Sequence, residues 1–429
     1  MKKKLLALLI ASTMVVGTLA GCGGQAPADS AENTGASEGT NASGVQALID
    51  ATEGTVELTV WASEIQQDLT QQLVDEFAAL YPDVDFNITV GACSEAQAKD
   101  TVLTDVTAAA DVYTFADDQI NELVAGGALQ PVSASYTYDV AGENLSGAVE
   151  AATVDGQLYA YPSTASNGYF MFYSTEYFTE DDVKSFDQMM QIAADNGKKI
   201  TMQIDAGWYL YSFFKGAGLD TGLNEDGVTN FCEWNQDGGT DVAQAILDIC
   251  SNPGFQSATD EEFQTGIAEG TIIAGVSGTW DAEAAAAAWG DNYAAAKLPT
   301  FTVAGEQVQM SSYSGYKLIG VNPHSDNVGW SMLLAEYLTC QSSQEKRFDT
   351  YQEGPANAAA AASDAVKANP AIAALAAQAE FATPQRIGGN YWASSETLGS
   401  ILAAGNPDGT SLQELLDNAV AGITAPVSE

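Results

Sequence analysis

Histidine is almost absent: His324 is the only one in 429 residues. A Ser–His–acid set or a multi-histidine metal site therefore has little to draw on. His324 stands in Asn322-Pro323-His324-Ser325, a turn sequence, and reads as a surface residue. Basic residues are also few. Fourteen Lys and Arg face 57 Asp and Glu, a formal net charge of -43. Such a surface repels nucleic acid and anionic lipid, so no nucleic-acid partner is expected. The five cysteines include no CxxC pair, and no zinc site is expected. GxSxG, a P-loop and a GxGxxG after a strand are all missing. Paired carboxylates for glycoside chemistry could lie among the 57 acids, but nothing singles out a pair. One long apolar run occurs, Leu5 to Ala20. Its 16 residues include Ser12, Thr13, Gly17 and Thr18, and fall short of a membrane span.

That run follows Lys2, Lys3 and Lys4 and ends in Leu19-Ala20-Gly21-Cys22. A basic region, an apolar region and a small-residue processing site make a secretory signal over residues 1–21. Leu-Ala-Gly before cysteine resembles the lipobox of bacterial lipoproteins. The resemblance implies cleavage before Cys22, acylation there with palmitate-type chains, and attachment to the outer face of the cytoplasmic membrane. Loss of three lysines with the signal leaves 11 basic against 57 acidic residues, or -46. From Gly23 to about Gly54 the chain is small, polar and acidic, too poor in apolar residues to fold. Residues 22–54 are expected to be a flexible acidic tether.

The remainder alternates strand and helix. Val56-Glu57-Leu58-Thr59-Val60-Trp61 alternates as a strand, and Ser63 with Gln66 predicts a capping box for the helix after it. Val84 to Val90 and Asp111 to Phe115 read as further strands, with a helix over Ser94 to Ala110 between them. Leu158 to Pro162 and Tyr169 to Tyr173 read as two strands separated by a small, polar crossing. Thr271 to Val276 and Tyr316 to Val321 follow, among helices at Ser185, Trp208, Thr240, Ala282 and Val328. This order predicts an α/β fold with helices on both faces of a sheet.

Two local patterns invite a ligand. Asn224, Asp226, Gly227 and Glu233 fit part of a calcium loop, but Gly222 stands where the first acid is needed. Asn224-Glu225-Asp226-Gly227 is better read as a hairpin turn, with no metal assigned. Cys232 and Cys250 could pair outside the cell, against the ordinary alternative of buried free thiols. The aromatic signal is stronger. Trp208, Trp280 and Trp392 sit at element ends, accompanied by Tyr209, Tyr211 and Tyr391, whereas Trp61, Trp289 and Trp330 fall inside periodic elements and read as core. A sugar ring needs a flat aromatic platform for its apolar face and acceptors for its hydroxyls, which Asp and Glu supply. The competing reading is that these aromatics are core as well.

Several landmarks then fall in a familiar order: Leu58-Thr59-Val60-Trp61, Phe115-Ala116-Asp117-Asp118, Gly156 to Pro162, Gly278-Thr279-Trp280, Glu353-Gly354-Pro355-Ala356-Asn357 and Tyr391-Trp392. Over about Val56 to Gly422 the chain resembles the extracellular solute-binding proteins of ABC transporters, of the maltose/maltodextrin-binding type. The resemblance implies a two-lobed periplasmic-binding-protein-like α/β fold with discontinuous lobes, hinge strands and an interlobe cleft. Lobe one would be 55–166 and 315–365, and lobe two 168–314 and 369–429. It places Trp208, Trp280 and Trp392 at or beside sugar-stacking positions, with Tyr209 beside the first. Phe115 would be a stacking or edge aromatic, and Asp118, Asp205 and Glu64 polar contacts to sugar. Two departures are evident: Ser166 or Asn167 replaces a hinge acid, and an expected arginine falls near Glu396. The motifs place no lysine or arginine in the cleft, which argues against an anionic ligand.

The implied role is a non-enzymatic, monomeric receptor, needing no cofactor, that passes neutral malto-oligosaccharide to an ABC permease. Xylo- or manno-oligosaccharide receptors and a polyamine receptor are alternatives, because acids and aromatics also cage cations. A surface glycoside hydrolase is the alternative from another class.

Overall fold

The computed structural model describes residues 42–133 and 135–426. The lipobox, including Cys22, lies outside the described residues.

A ten-stranded sheet runs through the molecule. Its order is Phe255–Gln256, Lys199–Thr201, Ile272–Gly278, Tyr161–Ser174, Ser312–Val321, Val112–Ala116, Thr55–Ala62 and Asp85–Ala92. Tyr293–Ala296 also pairs with Tyr161–Ser174, and Ala382–Pro384 with Ser312–Val321. The outer strands pair in parallel on each side: Thr55–Ala62 with both its neighbours, and Lys199–Thr201 with both of its own. The two central strands run antiparallel, and their register shifts between Gly315 and Leu318. This is the α/β architecture expected, with two cores joined through two long strands. One core contains Val56, Leu58, Leu73, Phe77, Trp330 and Leu333, with a satellite around Tyr113, Phe115 and Leu318. The other gathers Met171, Phe186, Ile200, Tyr211, Phe213, Trp234 and Leu416, with a satellite around Phe170, Phe172 and Phe263.

Several local expectations need correction. The crossing at Ser163 to Gly168 does not separate two strands, because Tyr161–Ser174 is one continuous strand. Its small residues are what let it pass from one core to the other: Ser163, Thr164 and Ser166 are buried, the Ser166 hydroxyl accepts from Gly354 N at 2.8 Å, and Ala165 N donates to Gly354 O. The capping box is not formed either. Ser63 makes no side-chain cap, and a 3-10 turn Glu64–Gln66 precedes helix Gln67–Leu80. Gln66 turns inward instead, donating to Glu353 Oε2 at 2.8 Å. The helix expected over Ser94 to Ala110 spans only Ala98–Thr104.

The tether expectation is corrected over its last part. Ala42–Ala51 is a helix, and Val45, Leu48 and Ile49 pack on the first core. Trp330 Nε1 donates to Thr52 Oγ1 at 2.8 Å. Three apolar side chains at helical spacing gave this segment a face to bury, which its overall polarity concealed. The hairpin reading of Asn224 to Gly227 agrees with the backbone: Thr221–Leu223 pairs with Asn230–Cys232, and Asp226 accepts from Val228 N and Thr229 N. Cys232 and Cys250 are both free thiols, which favours the unpaired alternative, and burial raises each to about 11. Among the described residues no helix is long and apolar enough to cross a membrane.

Candidate functional site

A cavity of about 820 Å³ opens where the two cores face each other. One wall comes from the ends of the first core's strands: Ser63, Glu64 and Ile65 after Thr55–Ala62, Glu95 and Ala96 after Asp85–Ala92, and Ala116 and Asp118 at the end of Val112–Ala116. Ligand clefts commonly form at such carboxyl ends, where loops diverge from a rigid sheet. The other wall carries Trp208, Asp260, Trp280, Trp392 and Glu396.

Each of the three indoles is half-buried and fixed by a different device. Trp208 lies in the first turn of helix Gly207–Gly216, beside Tyr169 (5.3 Å between centroids, edge-on) and Tyr313 (5.4 Å, stacked). Glycine at 207 is a requirement of packing: a Cβ there would lie 2.2 Å from Ser395 Oγ, on the helix that carries Trp392. Tyr391 reinforces this joint, its hydroxyl donating to Gly207 O at 2.7 Å. Trp280 sits in the turn Thr279–Asp281 and folds back over Gly278, where a Cβ would come within 2.0 Å of the indole. Its Nε1 donates to Asp260 Oδ2 at 3.0 Å. Trp392 packs edge-on to Tyr391 at 5.1 Å.

Behind Trp280 stands a pair of acids. Ser277 Oγ donates to Asp281 Oδ2 at 2.6 Å and lies 3.4 Å from Asp260 Oδ1. Gln264 Nε2 donates to Asp281 Oδ1 at 2.7 Å. Burial, then the neighbouring Asp260, pushes Asp281 up to about 7. Burial also raises Asp260, against the hydrogen bonds from Trp280, Ser277 and Tyr209. On the facing wall burial raises Asp117 to about 7, although its Oδ1 accepts from Tyr316 N at 3.0 Å. Asp118 is held well above the usual carboxylate range by burial and then by Asp117.

Of the residues expected at the site, Glu64, Asp118, Trp208, Trp280, Trp392 and Glu396 line the cavity together. Three do not. Phe115 is fully buried in the satellite core, paired with Leu318 across the sheet. Strand alternation turns Ala116, not Phe115, to the cleft. Tyr209 is buried edge-on to Tyr169, with its hydroxyl 3.5 Å from Asp260 Oδ1. Asp205 is exposed outside the lining, though its charge, after partial burial, helps raise Glu396.

Sequence reasoning missed Asp260, Glu95, Gln385 and two cations. Lys99 and Lys317 both line the cleft, contrary to the expectation that no basic residue would. Lys317 lies in the central strand Ser312–Val321, where the apolar pattern hides it. It bridges Glu353 at 2.6 Å and Glu95 at 3.4 Å. Burial opposes its charge, yet these two acids outweigh the burial and hold its pKa above the ordinary value. Glu353, within the Glu353-Gly354-Pro355 landmark, is thus a structural partner for Lys317 and Gln66. Among the described residues no cluster of His, Cys, Asp or Glu is arranged to hold a metal ion.

The model of the bacterial extracellular solute-binding protein family matches residues 72–374. A comparison with curated protein sequences returns no match. One solved structure, determined with acarbose, is 28% identical, with a TM-score of 0.76 over 87% of this chain and 99% of its own. A maltodextrin-binding protein from L. casei, solved without ligand, is 24% identical, with a TM-score of 0.72 over 87% of this chain and 100% of its own. A maltose/maltodextrin-binding domain from Bdellovibrio bacteriovorus, bound to maltotriose, is 18% identical, with a TM-score of 0.74 over 86% of this chain and 98% of its own. The last two likenesses bear on the fold alone.

Proposed function

This chain belongs to the bacterial extracellular solute-binding proteins, and from that premise we propose that it captures malto-oligosaccharide and delivers it to an ABC importer. The carrying observation is the convergence of three half-buried indoles, Trp208, Trp280 and Trp392, on one acid-lined cavity of about 820 Å³. Indoles stack on the CH faces of successive rings, and carboxylates accept from the hydroxyl rims. Micromolar affinity corresponds to about -8 kcal/mol, which two or three stacked rings with charge-assisted hydrogen bonds can supply. The structure determined with acarbose supports this choice of sugar.

The cleft binds and does not cut. Of its acids, Asp260 accepts from Trp280 and Glu95 faces Lys317, an arrangement suited to holding a ligand. The two cores close on sugar by bending at the central strands, and the monomer is the working unit. Cys22 carries the lipid, and residues 23–41 tether the body near its permease.

Tryptophan fluorescence titrated with maltotriose tests the receptor role, with mass spectrometry of the sugar afterwards. Saturable quenching with intact maltotriose is expected. Shortened products would replace the receptor with a hydrolase. A Cys22→Ala form should bind maltotriose equally and be released from the cell surface.

A further inference from the structure

The wall opposite the tryptophans combines unmet acceptors with one-sided charge, and neutral sugar accounts only for the first. Ser63, Glu95, Asp118 and Gln385 line the cleft, and just beneath its surface Ser63 Oγ, Glu95 Oε1, Asp118 Oδ1 and Gln385 Oε1 have no hydrogen-bond partner among the described residues. Glu95 Oε1 has only the Lys317 ammonium, at 3.4 Å. Gln385 is itself just 4% exposed. Three of these four atoms are carboxylate or amide oxygens, which as such only accept hydrogen bonds. Leaving buried acceptors unmet is costly, so a ligand that brings donors is favoured.

The charge is one-sided as well. Six acids line the cavity against two lysines. Both lysines are already committed: Lys99 to Glu122 at 3.1 Å and Asp100 at 3.5 Å, Lys317 to Glu353 and Glu95. Hydroxyl groups would meet the acceptors yet leave this charge in place. We infer that the wall at Glu95, Asp118 and Gln385 receives a positively charged nitrogen, so that the cleft prefers an oligosaccharide bearing a protonated amine to its neutral counterpart. The inference rests on the sugar-receptor reading and narrows its ligand class. A protonated secondary amine brings two N–H donors and a charge, and charge-assisted hydrogen bonds are the stronger kind. Asp118, disfavoured as an anion by burial and by Asp117, is stabilised in its charged form by a cation at Oδ1.

Calorimetry of the full body against maltotetraose and acarbose, a pseudotetrasaccharide with a secondary amine, tests this at low and high salt. Acarbose is expected to bind at least about tenfold more tightly at low salt, with the advantage shrinking at high salt as charges are screened. Asp118→Asn and Glu95→Gln, each checked for folding by its melting curve, should lower the ratio of the two affinities. Equal or weaker acarbose binding overturns the inference. So does an advantage that ignores salt, because ring shape would then explain it. If maltotetraose binds without an amine preference, the receptor reading stands and only the charged-ligand inference falls. If neither binds, both fall.

Discussion

The Trp280 indole N–H donates to the Asp260 carboxylate at 3.0 Å. Both residues line the cleft, so the hydrogen bond sets the tilt of one stacking surface from a second residue of the same wall. Asp260→Ala frees the indole to rotate. Sugar affinity should fall at least about tenfold, in line with the roughly 1.5–3 kcal/mol of a hydrogen bond to a charged group. Asp260→Asn should recover part of it. Unchanged calorimetric affinity in the alanine variant would mean that Trp280 is held by packing alone.

Glycine at 278 is required by the same ring. A Cβ there would lie 2.0 Å from the Trp280 indole. Gly278→Ala should displace the ring and weaken maltotriose binding by at least about tenfold, against a cost in folding stability of only about 1–3 kcal/mol for overpacking. Thermal unfolding beside fluorescence titration separates the two effects, and a variant with normal affinity contradicts the packing of Trp280 on Gly278.

Much of the fold is legible in the sequence. The alternation of apolar strands with periodic helices located the sheet, and Ala282–Trp289 begins and ends where its composition suggests. Trp208, Trp280 and Trp392 announced themselves by standing at element ends, where half-burial is common. Phe115 did not belong with them, because strand alternation at Val112–Ala116 is blurred by burial on both faces. Lys317 and Glu95 were hidden for a different reason. Their pairing joins residues more than two hundred positions apart, and no spacing rule reaches that far. The continuous strand Tyr161–Ser174 was read as two because Ser163 to Gly168 has the composition of a loop, while its hydrogen bonds to Gly354 come from a distant segment.

Stability should depend on pH through the acids behind Trp280. Asp281 titrates near 7 in the folded state, raised by burial and then by Asp260. Unfolded, it returns to about 3.9. Between these values the native state binds the extra proton, so stability declines as pH rises from about 4 to about 7. Urea midpoints at the two ends of that window should show the decline, and Asp281→Asn should reduce it, leaving the share of Asp117, which burial raises likewise. A wild-type midpoint that rises across the window contradicts the upward shift that burial gives Asp281.

Helix Ala42–Ala51 should contribute to the folded body and not merely lead to it. Removing residues through 41 is expected to leave the melting temperature unchanged. Removing residues through 54 uncovers the core around Trp330 and deletes the Thr52 acceptor. Half-burial of three apolar side chains suggests a loss of about 2–4 kcal/mol. Equal melting temperatures for the two truncations would return the helix to the tether.

Calorimetry of maltotetraose binding to the wild type and to Trp280→Ala tests the sugar-receptor function most directly. Single-site binding in the micromolar range, weakened by about 2 kcal/mol or more in the variant, is the predicted result. Absence of binding heat with a folded wild type, or equal affinity in both proteins, contradicts it.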